Sequence, residues 1–350
     1  MVFKKNVQLM KKYLDYRLHV DQITKGSAGR EAAHMRHVIH WAGDTSFKKA
    51  ADIRPTFPEY LQSNTISERK KELSPVYIKK ALATARNFFT WLSENEAGYK
   101  HIKQAWIKKI KVRRLAEIPR TTEYVTLDEI LTIARRPCAS ARTRRARAGL
   151  VFLFLSGMRI GAFISLPLRA VDIPNRTIYQ YPSLGVRTKN NKHGKTFLLD
   201  IPELLQVVQE WDNEIRAILP PDGFWFAHLS PQTGEIDPSI TEAGNHRFNL
   251  ARRDFQKWLD REGLPYHSPH KFRHGHIHYG MGHARTAADM KAVSLNVMHS
   301  DIKTTDQFYS SFDGEELKQR VTALNKNGGN EDKQNIIKAL EDALRQLKDA

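Results

Sequence analysis

Cysteine is nearly absent from this chain, and so are the apolar runs that a membrane span requires. The single cysteine, Cys138, excludes an internal disulfide and any cysteine-based metal site. No apolar run approaches the roughly 20 residues of a spanning helix, and the first residues lack the long apolar segment of a secretory signal. These absences predict an intracellular, reducing location, the cytoplasm.

Acidic residues are also scarce: 38 of them stand against 56 lysines and arginines in 350 residues. The formal net charge of +18 attracts polyanions and raises their rate of encounter with the protein. Nucleic acid is the partner that this charge favours, although solubility alone or a membrane surface would also account for it. The length allows two domains, each able to bury its own core.

Helical patterns dominate the first 110 residues. Apolar residues recur at helical spacing over 6–20, and a second helix over 27–41 ends before Gly43. Ser74 and Pro75 begin a third helix, because serine caps a helix and proline suits its first position. We therefore predict a helical domain over 1–110, followed by a linker over 111–124, where basic residues and Pro119 crowd together.

The second half mixes helices with a short β-prone stretch. Thr126 and Glu129 have the spacing of a capping box and should begin a helix. Residues 177–181 and 196–201 favour strands, which predicts a small antiparallel sheet inserted between helices. The predicted fold class is thus mainly α with a small antiparallel β-sheet, with a second domain over 125–325. Residues 326–350 form a flexible break and a C-terminal amphipathic helix, whose apolar stripe would dock on its own chain or on a neighbour.

Several cationic residues and one tyrosine form a pattern that suits phosphodiester chemistry. His270 and Arg273 fall three apart at a helix start, where free backbone N–H groups also favour an anion. In the transesterification of a phosphodiester, two non-bridging oxygens gain negative charge, and arginine forks match the geometry of those oxygens well. The reaction also needs an in-line nucleophile, such as the phenol of Tyr309. His299 precedes that tyrosine by ten residues, so the chain must turn between them.

Each of these residues also has an ordinary structural interpretation. Tyr309 could be a half-buried aromatic, and Arg159, in an apolar stretch over 152–166, could hold a structural salt bridge. However, the next acidic residue after Arg159 is Asp172, which favours an external anion. The histidines at 270, 274 and 278 have a spacing that can bind zinc, but no glutamate accompanies them as in a metalloprotease helix, so we predict no metal site.

Arg159 in Ser-Gly-Met-Arg-Ile-Gly, the His270-x-x-Arg273 pair, His299 and Tyr309 occur in an order that resembles the tyrosine recombinases of the integrase type. The resemblance covers most of the chain. It implies a helical core-binding, DNA-binding domain at 1–110 and a mixed α/β catalytic domain of the tyrosine recombinase type at 125–325.

The resemblance also implies a role for each matching residue. Arg159 and Arg273 would clamp the scissile phosphate, His270 would assist proton movement, and His299 would donate to a phosphate oxygen. Tyr309 would form a covalent 3′-phosphotyrosyl bond, and a β-hairpin lysine would protonate the leaving 5′-oxygen. For that lysine we choose Lys189, which we expect to end a strand, with Lys192 and Lys195 as alternatives. The ester conserves bond energy, so neither ATP nor metal is needed as a cofactor.

The implied function is site-specific recombination, in which DNA is cut and rejoined. Family members work on double-stranded DNA, commonly as a tetramer on two duplexes, which would associate the protein with the nucleoid and give the tail helix a partner. DNA contacts outside the active site are predicted near the linker, at Lys103, Lys108, Lys109, Lys111, Arg113 and Arg114.

The sequence departs from the family pattern in three places, one of which is the loosely matching spacing over 282–293. Ala162 stands where an acidic residue is usual, and Val297-Met298-His299 replaces Leu-Gly-His, so the backbone turn there could differ. Ala162 leaves open a catalytically impaired DNA-binding protein on the same scaffold. A type IB topoisomerase-like enzyme, which shares the chemistry but relaxes DNA, is the other alternative.

Overall fold

The computed structural model describes residues 2–63, 65–66, 71–112, 123–240, 242, 244 and 246–298. The chain divides into two compact units, Met1–Arg120 and Thr121–Ala350. The elements of the first unit are α1 (Lys4–His19), α2 (Lys25–Ala42), α3 (Phe57–Ser63), β1 (Thr65–Ile66), β2 (Lys71–Glu72), α4 (Pro75–Asn95) and α5 (Gln104–Ile107). Those of the second are α6 (Leu127–Ala134), α7 (Ala141–Ser156), α8 (Ile160–Phe163), β3 (Val171–Asp172), β4 (Thr177–Gln180), β5 (Gly194–Phe197), α9 (Pro202–Arg216), α10 (Arg247–Arg261), α11 (Pro269–His283) and α12 (Ala287–Asn296).

Helix α4 organises the core of the first unit. It begins where the sequence predicts, because the hydroxyl of Ser74 accepts a hydrogen bond from the backbone N–H of Tyr77 at 3.2 Å. Its apolar face is buried against α1 and α2. An aromatic cluster fills the centre, with the ring of Phe88 edge-on to the rings of Tyr13 and Phe47 at centroid distances of 5.4 and 5.3 Å.

Helix α7 is the central element of the second unit. Its second half, residues 150–155, is apolar on every face, and all six side chains are fully buried. A helix that is hydrophobic all round must be surrounded by other elements, and α7 contacts α6, α9, α10 and α11. No helix in the described part of the chain is long and apolar enough to cross a membrane.

The first half of α7 is rich in arginine, and these arginines form ion pairs inside the protein. The guanidinium of Arg145 lies 2.5 Å from the carboxylate of Asp254 on α10, and both side chains are buried. Arg144 makes a two-pronged pair with Glu214 of α9, with both N–O distances at 2.8 Å. These cations therefore join helices of the second unit to each other.

The predicted antiparallel sheet is present as the order β3-β4-β5, with Thr177 opposite Phe197 and Gln180 opposite Gly194. The expectation that Lys189 ends a strand is wrong. Strand β4 already ends at Gln180, and Lys189 begins a short 3-10 turn between β4 and β5. Asn190 and Asn191 follow with φ angles of 58° and 51°, a left-handed conformation that asparagine tolerates better than most residues.

A close contact between α11 and the chain before α6 gives a stability prediction. A Cβ atom at Gly275 would lie 2.2 Å from the carbonyl oxygen of Val125 and 2.9 Å from the ring of Phe154. We expect Gly275→Ala to lower the free energy of unfolding by about 1–3 kcal/mol, as overpacking does. Chemical denaturation of the full chain measures this change.

The same helix supplies the control for that substitution. A Cβ atom at Gly282 would meet no atom within 4 Å. Gly282→Ala is therefore expected to be neutral or to stabilise the protein by up to about 1 kcal/mol, because alanine loses less backbone entropy in a helix. Equal destabilisation by both substitutions would contradict the close packing of Gly275 against Val125 and Phe154.

Candidate active site

Arg159 lies in a sharp connection between α7 and α8. The apolar stretch over 152–166 is not one helix, because α7 ends at Ser156 and Gly157 adopts a left-handed φ of +59°. A side chain at Gly157 would also collide with the ring of His276, 2.5 Å from the added Cβ. The chain thus leaves α7 through the one residue type that fits both demands. Arg159 then precedes the first residue of α8, half-buried.

The turn that carries Lys189 is held against the C-terminal end of α8. The backbone N–H of Arg187 donates to the hydroxyl of Ser165 at 2.8 Å. A cavity of about 410 Å³ opens beside this contact, lined by residues that include Arg159, Arg187, Lys189 and His270. Three of the predicted site residues, from three separate segments, therefore share one cavity.

His270 and Arg273 lie in the first turn of α11. Pro269 occupies the first helical position, as predicted, but the side chain of Ser268 makes no capping hydrogen bond. Arg273 is buried, and its guanidinium donates to the carbonyl oxygens of Gly157 and Val297, both at 2.6 Å. Arg273 therefore connects α11 to two other segments. One is the end of α7, close to Arg159 in the sequence, and the other is the residue that follows α12.

The cations of the site have no compensating carboxylate among the described residues. Burial, together with the smaller effect of the charge of Arg159, lowers the pKa of Arg273 to about 9; burial also lowers the pKa of Arg159 itself. No described carboxylate makes an ion pair with either guanidinium. Buried cations of this kind are costly unless an anion is bound.

The surroundings of His270 favour its neutral form. Its side chain is exposed on one side, yet the surrounding protein lowers its pKa by desolvation, and the charges of Arg273 and Arg159 lower it further. The ordinary pKa of histidine is near 6.5. The imidazole is therefore neutral at neutral pH, and one ring nitrogen is free of a proton.

The two other lysines of the hairpin lie elsewhere. Lys192 and Lys195 are exposed, and neither is among the residues that line the cavity beside Arg159. The ammonium of Lys195 lies over the ring of Tyr179, its partner across β4 and β5, at 5.5 Å from the centroid. Lys189 is thus the lysine of the three that the structure brings to the cavity. Arg187 also lines it, a residue that the sequence interpretation missed although it stands two positions before Lys189.

Four of the predicted site residues cannot be placed. His299 and Tyr309, and the predicted DNA contacts Arg113 and Arg114, lie outside the described residues, as does the predicted tail helix. The remaining four DNA-contact candidates, Lys103, Lys108, Lys109 and Lys111, are exposed around α5.

The histidines that follow His270 on α11 mainly take part in packing. The ring of His274 lies against that of His270, with centroids 4.3 Å apart, and His278 stacks on Tyr124 at 3.9 Å. His276 is buried and hydrogen-bonds to the carbonyl oxygen of Phe154 at 2.9 Å. Within the described ranges, no group of three or more histidine, cysteine, aspartate or glutamate side chains is arranged to hold a metal ion.

Two of the departures from the family pattern have structural counterparts. Ala162 is buried in α8, in contact with the core of the second unit, so no acidic side chain supports Arg159 from that position. Met298 adopts a φ of +54°, the left-handed region that a glycine would occupy without strain. The chain therefore makes a left-handed turn before residue 299 with a methionine in place of glycine.

Comparisons with known proteins agree with this architecture. The model of the phage integrase family matches residues 123–315. The tyrosine recombinase XerC of Xanthomonas campestris pv. campestris is 22% identical over 287 residues, which cover 81% of this chain and 79% of that protein.

Solved structures show the same fold. The lambda integrase dimer bound to a COC′ core site has a TM-score of 0.59 and 14% identity, covering 86% of this chain and 76% of that one. The Tn1549 transposon integrase in complex with a circular intermediate DNA has a TM-score of 0.57 and 14% identity, covering 93% and 100%. The predicted fold class, mainly α with a small antiparallel sheet, is confirmed.

Proposed function

Because this chain belongs to the phage integrase family, we propose that it is a tyrosine-type site-specific DNA recombinase. It would cut and rejoin DNA through a covalent 3′-phosphotyrosyl intermediate. The observation that carries the proposal is the meeting of Arg159 and His270 at one cavity, with the charge of Arg273 close to both and no described carboxylate to neutralise the arginines. A bound phosphodiester supplies the missing negative charge.

The chemistry of each group follows from its placement. Arg159 is half-buried at the cavity and presents a fork that matches two phosphate oxygens. Arg273 is fixed by two backbone carbonyls, so its charge is preorganised and needs no rearrangement during the reaction. The neutral imidazole of His270 accepts the proton that a phenol must lose before it attacks phosphorus.

Lys189 and Tyr309 complete the proposed reaction. The phenolic oxygen of Tyr309 forms a bond to phosphorus while the bond from phosphorus to the 5′-oxygen breaks. The leaving oxygen takes a proton from the ammonium group of Lys189, which lines the same cavity as Arg159. His299 donates a hydrogen bond to a phosphate oxygen. Rejoining reverses these steps, so the reaction consumes neither ATP nor a metal cofactor.

Duplex DNA is the proposed partner. The net charge of +18 and the exposed lysines around α5 suit contacts with the phosphate backbone, with the helical first unit as the DNA-binding domain. One similar protein was solved as a dimer bound to a core site. We propose that this chain also acts as an oligomer on DNA, a tetramer on two duplexes, with the segment after residue 326 as a contact between protomers.

A nicked suicide substrate tests the function directly. The DNA comes from the sequence that flanks the gene, carries a label upstream of the cleavage site, and is incubated with the full chain in a metal chelator without ATP. We expect a protein–DNA adduct that retains the upstream label, together with a released 5′-hydroxyl end. The nick lets the short downstream piece diffuse away, so the adduct accumulates instead of being rejoined.

The outcomes separate the alternatives. A chain that binds the flanking DNA but forms no adduct would be a DNA-binding protein that keeps only the scaffold. An adduct on the opposite end, with a free 3′-hydroxyl, would contradict the proposed chemistry. Strand exchange between two labelled duplexes, as opposed to relaxation of a supercoiled circle alone, would distinguish the recombinase from a topoisomerase-like enzyme.

A further inference from the structure

The end of α12 is fastened to strand β5 through the side chain of Asn296. Its Oδ1 accepts a hydrogen bond from the backbone N–H of Phe197 at 2.7 Å, and its Nδ2 donates to the carbonyl oxygen of Phe197 at 3.0 Å. The amide thus satisfies both backbone groups of one residue, as a neighbouring strand would do. In addition, the hydroxyl of Thr196 donates to the carbonyl oxygen of Asn296 at 2.9 Å.

The same amide also reaches α11. Its Nδ2 lies 3.2 Å from Nε2 of His276, and Nδ1 of His276 lies 2.9 Å from the carbonyl oxygen of Phe154. A carbonyl can only accept, so Nδ1 carries the proton and Nε2 accepts from Asn296. Burial lowers the pKa of His276 to about 4, which keeps the ring neutral and this pattern intact at neutral pH.

A second contact holds the other end of β5. A Cβ atom added at Gly194 would lie 2.9 Å from Cε and 3.2 Å from Sδ of Met298, so the methionine side chain covers this glycine. The strand β5, Gly194–Phe197, is therefore contacted at its last residue by residue 296 and at its first residue by residue 298. That strand follows directly after the turn that begins at Lys189.

These contacts link two parts of the proposed active site that lie far apart in the sequence. On one side is the hairpin that carries Lys189; on the other is α11, which carries His270 and Arg273. The amide group of Asn296 contacts both sides, through Phe197 and through His276. Nothing in the catalytic pattern singles out this asparagine, because it is not charged and bears no reacting group.

We propose that Asn296 is a positioning residue that fixes the lysine hairpin relative to α11. The inference rests on the proposed function, in which Lys189 protonates the leaving 5′-oxygen. Without the amide, β5 loses both hydrogen bonds between Phe197 and α12 and keeps only the bond from the Thr196 hydroxyl to the backbone carbonyl of residue 296. The turn at Lys189 is then held less firmly where its ammonium group would meet the phosphate that Arg273 and His270 bind. Asn296 itself touches neither DNA nor the reacting atoms in this scheme.

A substrate that needs no general acid isolates this effect. In a 5′-bridging phosphorothiolate, sulfur replaces the leaving oxygen, and the phosphorus–sulfur bond breaks to release a thiolate. A thiol has a pKa of about 8.5, so the thiolate leaves without the proton that an alkoxide requires. A variant whose defect lies in proton donation therefore cleaves the sulfur substrate at nearly the normal rate.

We expect Asn296→Ala to slow single-turnover cleavage of the ordinary oxygen substrate about 10- to 100-fold, part of the contribution of a general acid. The sulfur substrate should be slowed far less, and Lys189→Ala should show the same pattern more strongly. Asn213→Ala is the matched control, since the side chain of this exposed asparagine of α9 hydrogen-bonds only to Gln209 among the described contacts, and both substrates should react normally.

The ratio of the two rates does not depend on how much of a preparation is folded, because unfolded chains are lost equally from both. Equal slowing of both substrates by Asn296→Ala would overturn the positioning role. If Lys189→Ala is not rescued by sulfur, the assignment of the lysine fails and the inference with it. If the wild-type chain forms no adduct with either substrate, the proposed function itself is overturned.

Discussion

Replacement of Arg159 by alanine is expected to lower the single-turnover rate of adduct formation by about 10²- to 10³-fold, the usual loss when one preorganised donor to a developing oxyanion is removed. The guanidinium lies at the cavity that Lys189 and His270 also line. Arg159→Lys should recover only part of the rate, because a single ammonium group cannot engage two phosphate oxygens in the planar fork of a guanidinium. The measurement uses saturating DNA, so that weaker binding does not mimic slower chemistry.

The control for Arg159 is an arginine of the same unit that has its own acidic partner. Arg169 is exposed and pairs with Asp222 at 2.5 Å. Arg169→Ala should leave the rate of adduct formation nearly unchanged. If both alanine variants lose the same activity, the effect of Arg159 would be a general loss of positive charge and not a contact with the scissile phosphate.

Stability measurements separate the catalytic interpretation of Arg159 from the structural salt bridge. A buried ion pair that loses one partner typically destabilises a protein by about 3–5 kcal/mol. Arg159 makes no described ion pair, and its charge lowers the pKa of both Arg273 and His270. Arg159→Ala should therefore unfold at a denaturant concentration no lower than the wild type.

Local signals in the sequence predicted much of the fold. Thr126 and Glu129 do form a capping box at the start of α6, with the Thr126 N–H donating to the glutamate at 2.8 Å. Gly43 ends α2, and Ser74 caps α4. These features depend on residues within about one helical turn of each other, so the pattern in the chain is the cause of the structure.

The parts that could not be predicted depend on contacts between distant residues. Arg145 and Asp254 are 109 positions apart, and no local pattern in the sequence predicts that they pair. The same is true of the amide of Asn296, which meets Phe197 across 99 positions. The prediction that Lys189 ends a strand was wrong for this reason: the segment instead makes a hydrogen bond from Arg187 to Ser165, 22 positions away, and continues as a 3-10 turn.

The candidate site shows the same division. Residue types and their order identified Arg159, Lys189, His270 and Arg273, and the structure brings the first three to one cavity and fixes the fourth beside Arg159. The sequence could not show that Arg273 would be anchored by backbone carbonyls, since that depends on where α7 and α12 end. The convergence of His299 and Tyr309 on this cavity stays a prediction, because both lie outside the described residues.

Replacement of Tyr309 by phenylalanine is expected to abolish the covalent adduct, a loss of at least about 10⁴-fold, as when a nucleophile is removed from a catalytic unit. The phenyl ring keeps the volume of the side chain but has no oxygen to bond to phosphorus. DNA binding should be nearly unchanged, because the groups proposed to hold the phosphate, Arg159 and Arg273, remain. The assay is the same suicide substrate, with adduct and bound DNA measured on one preparation.

Tyr181→Phe is the matched control, since Tyr181 lies in the hairpin region of the same unit, with its ring 5.7 Å from that of Tyr179. This variant should form the adduct at the wild-type rate. An adduct that survives in Tyr309→Phe would assign the nucleophile to another residue, and mapping the modified peptide would identify it. The proposed reaction also accounts for the use of a phenol, whose ordinary pKa is near 10. In it, the cations of Arg159 and Arg273 would favour the phenolate, and the neutral imidazole of His270 would take its proton.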